Sequence, residues 1–244
     1  MKRALLLKEE REMNYLFQRV AVYTLGSILA LCLTVLPAGA QKKPNRENDA
    51  RRHSANAAKV FDELMGSPDS GIPRELVDKA QAIAVFPGVV KAAFVFGGRE
   101  GEGVISRRTP TGWSAPAFFN LGGGSFGAQI GANKTDYVLL IMNERGLNGL
   151  LGDKFEIGGE VGITAGPVGR DASAATDAQL KAEILTYSRS KGAFIGAALK
   201  GTAITPDNDL NQAFYGVKAS EVLNGAVSVI PSSVNVYPQT LSKY

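Results

Sequence analysis

Residues that could perform acid–base or nucleophilic chemistry are few in this sequence. His53 is the single histidine and Cys32 the single cysteine, which excludes disulfide frameworks and cysteine-based zinc sites. A Ser–His–Asp triad would have to use His53. That residue lies in a basic, polar stretch, where we expect a solvated side chain without a rigid scaffold to align it. We therefore predict no enzyme, no metal site and no cofactor.

Scattered carboxylates offer a weaker alternative. Glu156 and Glu160, or Asp207 and Asp209, have a spacing that two acids on one side of a strand could use as general acid and base. A solvated strand face explains the same spacing equally well. Residues 207–209 also lack the glycine and the terminal glutamate of a calcium-binding loop. The carboxylates thus favour neither a hydrolase nor a calcium site.

Two glycine-rich segments could hold an anion. Residues 122–127 read GGGSFG, but a strand-like run follows instead of a helix, so we predict glycines that relieve crowding in a sheet. Residues 166–170 read GPVGR, a turn with Arg170 at its exit. This turn is either a structural connection or an anion site made of backbone N–H groups and the guanidinium.

The N-terminus has the pattern of an export signal. Five basic residues lie within residues 2–19, an uncharged run covers residues 20–38, and Ala38-Gly39-Ala40 closes the segment. This order predicts a signal peptide over residues 1–40, cleaved before Gln41. An uncleaved membrane anchor is the alternative, because 19 apolar residues can just span a bilayer. We expect an exported protein, periplasmic or secreted, that associates with membranes.

The elements that must position any site begin after this segment. Residues 41–53 are predicted to form a flexible basic arm, because residues 42–59 hold six basic and two acidic side chains. A helix is expected to begin near Ser54, with its apolar face formed by every third or fourth residue from Ala57 to Leu64. A second helix is expected over residues 73–82.

From residue 83 onwards, short β-prone runs alternate with glycines, of which the chain has 28 among 244 residues. This texture predicts one α+β domain over residues 54–244, with a mostly antiparallel sheet or barrel-like core. Hairpin turns are expected at residues 99–103 and 109–112. A helical turn at 147–151 and short C-terminal helices at 207–214 and 219–223 complete the prediction.

Several segments together resemble the signature of the SYLF domain family. They are TYSRSKGAFIG at residues 186–196, GPVGR at 166–170, GAQIG at 127–131, Asn211, and FYG at 214–216. Their order matches the family, and the resemblance spans most of residues 54–225. Each motif alone would be weak, whereas the set is specific.

The resemblance implies a lipid-binding module without catalytic activity. Eukaryotic SYLF proteins recognise phosphoinositides, and the yeast branch binds and bundles actin. This sequence departs from them in its export signal and in the lack of an attached SH3 or FYVE module. We therefore expect this protein to share the lipid binding of the family more than its actin binding. We expect an anionic lipid or membrane surface as partner, a protein scaffold function of the actin-binding type as the alternative, and no nucleic acid.

Seven residues are the candidates for lipid contact. Arg51, Arg52 and Lys59 belong to the basic N-terminal region, while Arg170, Tyr187, Arg189 and Lys191 belong to segments that carry the resemblance. In a strand over residues 182–190, Tyr187 and Arg189 lie on one face, together with Lys191. They either form a headgroup contact, or the tyrosine packs in the core and the cations are solvated.

Overall fold

The computed structural model describes residues 45–67, 71–93, 96–126, 131–152, 154–157, 162–168, 182–190, 193–196, 199 and 201–244. The predicted signal peptide, Arg170 and Lys191 lie outside these residues. The described residues belong to one unit that begins at Asn45. No helix in these ranges combines the length and the apolar character needed to cross a bilayer.

The first helix, α1, covers Arg46–Met65 and so begins eight residues before the expected Ser54. The prediction of a flexible arm is therefore wrong for residues 46–53. Asn45 caps the helix, because its side chain accepts a hydrogen bond of 3.3 Å from the backbone N–H of Asn48. Ala50, His53 and Ser54 are buried and continue the apolar stripe that was recognised from Ala57 onwards. Burial of this stripe orders a segment that its charge made appear mobile.

The remaining described helices are short, and those expected near residues 73, 147, 207 and 219 are confirmed. They are α2 (Arg74–Lys79), α3 (Glu144–Leu151), α4 (Asn208–Tyr215), α5 (Ala219–Leu223) and α6 (Val236–Leu241). Asp207 is the N-cap of α4, where its side chain accepts a 3.0 Å hydrogen bond from the backbone N–H of Leu210.

Ten strands form one sheet. They are β1 (Ala82–Ala93), β2 (Phe96–Thr109), β3 (Gly112–Trp113), β4 (Ala117–Phe126), β5 (Gly131–Ile141), β6 (Phe155–Ile157), β7 (Ile163–Ala165), β8 (Ile184–Ser190), β9 (Ala193–Gly196) and β10 (Thr202–Pro206). Their order is β6-β10-β4-β2-β1-β5-β8-β7, with β3 on β2 and β9 on β8. Only β7 and β8 pair in parallel among the described strands. The predicted α+β class with a mostly antiparallel sheet is confirmed.

One predicted hairpin is correct and the other is wrong. The chain turns between β2 and β3 at residues 109–112, where Gly112 has φ +132°. Residues 99–103, in contrast, run straight through β2, which pairs with β1 on one side and β4 on the other. The glycines in this segment serve close packing between neighbouring strands and not a change of direction.

Helices cover both faces of the sheet, and the strands alternate between them. On the α1 face, Val85, Val138 and Tyr187 pack with residues of α1, α2, α4 and α6. On the opposite face, named the α3 face, Ala84 and Leu139 pack with residues of α3 and α5. Because successive residues of a strand point to opposite faces, each central strand contributes to both cores.

Strand β1 lies in the middle of the sheet and carries a bulge. Its register with β2 and with β5 shifts around Pro87 and Gly88. Gly88 has φ +60°, a conformation that favours glycine. Its N–H donates a 2.7 Å hydrogen bond to the Asp136 carboxylate on β5. A side chain thus replaces the ladder partner that the bulge removes.

Glycine is required where other groups approach the backbone closely. A Cβ at Gly103 would lie 2.5 Å from the ring of Phe86, and one at Gly123 would lie 2.5 Å from the carbonyl oxygen of Gly201. Gly122, Gly123 and Gly124 lie within β4. The triplet therefore belongs to a strand and not to a phosphate loop. The interpretation as relief of crowding holds for Gly123, whereas a Cβ at Gly124 would meet no other group.

We predict that Gly103→Ala lowers the free energy of unfolding by about 1–3 kcal/mol, because the added methyl group overpacks the core against Phe86. Gly124→Ala is the matched control. It lies in β4, and a Cβ at this position would have no other group within 4 Å, so its effect should stay within about 0.5 kcal/mol. Urea unfolding measures both. Equal stability of the two variants would contradict this account.

Candidate functional site

Three candidate lipid contacts share the solvent-facing side of α1. Arg51 is exposed, and the side chains of Arg52 and Lys59 are 57% and 74% exposed. Each has a partner on the same helix: Asn48 for Arg51 and Asp49 for Arg52, both at 3.2 Å, and Glu63 for Lys59 at 3.9 Å. Arg52 also lies 3.8 Å from Glu102 on β2. We name Arg51, Arg52 and Lys59 the basic stripe. Its exposure suits it to contact an anionic surface.

Tyr187 is fully buried, so the second of the two sequence-based alternatives holds for this residue. It packs in the core on the α1 face. Gly166 lies against its ring, and a Cβ there would fall 2.5 Å from the ring atom Cε2. Burial raises the pKa of the Tyr187 hydroxyl well above its usual value. The glycine of the GPVGR motif therefore makes room for a core tyrosine.

Arg189 is neither free nor merely solvated. Its Nε and Nη2 lie 2.9 and 2.7 Å from an Asp136 carboxylate oxygen, and its Nη1 pairs with Glu63 on α1. Arg189 thus joins α1, β5 and β8 by charge-assisted hydrogen bonds. Asp136 also holds the bulge through Gly88. We name Glu63, Arg189 and Asp136 the clamp.

The seven candidates are consequently not brought together as one surface. The basic stripe is exposed on α1, Tyr187 is internal, and Arg189 belongs to the clamp. Arg170 and Lys191 lie outside the described residues, so their predicted contact with lipid stays a prediction.

A groove that the sequence interpretation missed lies beside the bulge. It has a volume of about 480 Å³. Its lining comes from α1, β1 and β2, with three residues from each: Arg52, His53 and Asn56; Pro87, Gly88 and Val90; Glu100, Gly101 and Glu102. We name it the α1–bulge groove. Recognising it in the sequence would have required placing residues 99–103 in a strand, since alternation then puts Glu100 and Glu102 on one face.

His53 lines this groove, and the prediction of a solvated histidine is wrong. The residue is only 7% exposed because it lies on the inner side of α1. Its ring centroid is 6.3 Å from that of Phe118, and its Nε2 lies 3.5 Å from the Glu102 carboxylate. Burial lowers the pKa of His53, although Glu102 partly offsets this effect. The neutral imidazole is therefore the form favoured at neutral pH.

The C-terminal motif residues have structural roles. Asn211 is fully buried and accepts a 3.0 Å hydrogen bond from the backbone N–H of Phe118. It also donates to the carbonyl of Phe118 at 2.8 Å, so one side chain satisfies both polar groups of a β4 residue. The Tyr215 hydroxyl donates to the carbonyl of Pro116 at 2.8 Å. These residues hold α4 against β4.

Comparison with known families places the second half of the chain in one of them. The family described as "Las17-binding protein actin regulator", or Ysc84, matches residues 122–244. The chain belongs to the Ysc84 family. The SYLF resemblance seen in the sequence motifs is thereby confirmed. The Ysc84 match covers β4 to α6, including the clamp residues Asp136 and Arg189.

Curated relatives extend the match towards the N-terminus. The chain is 35% identical over 171 residues to Protein YSC84 of Saccharomyces cerevisiae, which covers 68% of this chain and 36% of that protein. It is 32% identical over 190 residues to SH3 domain-containing YSC84-like protein 1 of Xenopus laevis, covering 74% and 56%. A third relative is LAS seventeen-binding protein 3 of S. cerevisiae, at 34% over 170 residues, covering 67% and 37%. The chain thus spans between about a third and just over half of these relatives' lengths.

Metal chemistry has no support in the part of the chain that the structure describes. There, no three His, Cys, Asp or Glu side chains converge as a metal site. The Lys154 ammonium pairs with Glu156, one of the carboxylates considered as a general acid, at 2.5 Å. Glu160 lies outside the described residues.

We predict that Arg189→Gln lowers the free energy of unfolding by about 2 kcal/mol, because Asp136 loses its charged donor in a partly buried site. Lys154→Gln is the matched control, since it breaks a solvent-exposed ion pair and should leave the free energy of unfolding essentially unchanged. Chemical unfolding at low salt measures both. An Arg189→Gln variant as stable as the control would show that the clamp does not stabilise the fold.

Proposed function

We propose that this chain is a non-catalytic interaction module that binds a protein partner through the α1–bulge groove. The names of the family and of a yeast relative support a protein-binding role, since they refer to Las17 and to actin. The chain spans only part of those relatives, so the identity of the partner belongs to this proposal. The single structural observation behind it is a groove whose two walls are connected by the ion pairs of the clamp.

The connection between the walls favours binding, because a surface that is already ordered loses less conformational entropy when a partner binds. One wall of the groove is α1 and the other is the bulged sheet. The clamp therefore joins the two walls of the groove through Glu63 and Asp136.

Actin filaments are the probe that the family description suggests. We expect the wild-type chain to sediment with them and Asn56→Tyr to weaken this binding about tenfold or more, because the ring would fill the groove. Ala55→Tyr is the matched control, since it adds the same ring at the neighbouring exposed position outside the groove.

Two results would contradict this proposal. A wild-type chain that stays in the supernatant at all filament concentrations would exclude actin as the partner. Equal weakening by the two tyrosine variants would exclude the groove as the contact surface.

A second candidate function is binding to anionic membranes, and the basic stripe favours it. Its three cations project from one side of α1 into solvent. Near an anionic bilayer each basic residue contributes about 1 kcal/mol. This contribution is electrostatic and falls as salt shortens the Debye length. The groove and the stripe share Arg52, so both surfaces lie along α1.

For this function we predict that replacing Arg51, Arg52 and Lys59 by Gln strongly weakens flotation with phosphatidylserine-containing vesicles at about 10 mM salt. A control variant removes the same charge elsewhere, with Gln at the exposed Lys79, Lys154 and Lys218. If both triple variants float equally well, the stripe is not the membrane contact. If both triple variants lose binding equally, vesicle binding depends on the net charge of the protein and not on the basic stripe.

Export is part of the proposal as well. The basic start, the uncharged run and Ala38-Gly39-Ala40 support a signal peptide over residues 1–40. The exported chain would then begin at Gln41, and a periplasmic or secreted form that retained Met1 would contradict this.

A further inference from the structure

We propose that the α1–bulge groove binds the side chain of a lysine or arginine from an extended segment of a partner protein. This inference rests on the proposed protein-binding function and deepens it, because it names the chemistry of the contact. The groove is preformed, with a volume of about 480 Å³, and opens to solvent beside α1.

The charge of the groove selects a cation. Glu100 and Glu102 are two residues apart on β2, so they face the same side. Within the described residues, Glu100 has no ion-pair or hydrogen-bond partner. The Arg52 guanidinium lies 3.8 Å from Glu102 but also 3.2 Å from Asp49, so it is shared between two carboxylates. With a neutral His53, the groove retains a net negative charge.

The apolar part of the groove fits the stem of the same side chain. Val90 is 40% exposed, which is unusual for a large aliphatic residue in this protein. It lies directly opposite Glu100 in the β1–β2 ladder. Lysine and arginine place an aliphatic stem on apolar surface while their charged end reaches a polar group. Val90 and Glu100 supply these two contacts side by side.

His53 provides an observation independent of the acidic pair. It is more than nine-tenths buried, yet it lines the groove. Its Nε2 is 3.5 Å from Glu102, and within the described residues the imidazole has no hydrogen-bond partner. A ligand donor that enters the groove could bridge the imidazole and the Glu102 carboxylate, because both line it.

The probe is a short fluorescent peptide of alternating serine and arginine, compared with the same peptide carrying neutral citrulline in place of arginine. We expect the arginine peptide to bind the full chain and the citrulline peptide to bind about tenfold more weakly or worse. The double variant Glu100→Gln, Glu102→Gln should lose binding to the same degree. The control Glu75→Gln, Asp78→Asn removes two exposed carboxylates from α2 and should change affinity less than about twofold.

A further variant keeps the test decisive if the double variant fails to fold. Arg52→Gln removes the resident cation beside Glu102 and should strengthen peptide binding; weakened binding would overturn the inference. Equal affinity for the citrulline peptide, or equal loss in the two carboxylate variants, would also overturn it.

If actin filaments still bind while the peptide does not, the inference fails and the proposed function stands. If the wild-type chain binds the arginine peptide but not actin filaments, the result counts against the proposed function and not against this inference.

Discussion

The interaction on which most of this structure depends is the clamp at the bulge of β1. Asp136 accepts hydrogen bonds from the backbone of Gly88 and from Arg189, while Arg189 also pairs with Glu63. The Asp136 carboxylate thus gives the backbone N–H at the bulge a hydrogen-bond acceptor. The Arg189 guanidinium joins the sheet to α1. Such pairs are strong because both partners are charged and partly withdrawn from water. These bonds, together with the buried stripe of α1, hold the helix against the sheet beside the groove.

The described residues of the family motifs have roles in packing and in backbone hydrogen bonding. Gly166 makes room for the ring of Tyr187, and Asn211 satisfies the backbone of Phe118. Both positions are buried and admit few alternatives, since an added Cβ or a lost amide would leave an overlap or an unpaired polar group. The motifs therefore specify how helices and strands of a Ysc84 domain pack. The surfaces proposed above for binding are formed by other residues.

The two surfaces proposed for binding both lie along α1, and they differ in chemistry. The basic stripe presents cations, whereas the groove presents Glu100 and Glu102 beside the exposed Val90. Under the two proposals, an anionic bilayer and a cationic protein segment would therefore contact different sides of one helix. Arg52 borders both surfaces. Occupation of one would therefore change the charge available to the other.

The sequence by itself determined the α+β class, the mostly antiparallel sheet, the short C-terminal helices and the membership of the family. Those features depend on local periodicity, on capping residues such as Asp207, and on motif order. Tertiary structure decided the rest. Residues 46–53 became helical because Ala50 and His53 are buried, and residues 99–103 became a strand because β1 and β4 pair with them. Burial of Tyr187, pairing of Arg189 and the groove itself depend on contacts between residues distant in the chain, which local sequence patterns do not encode.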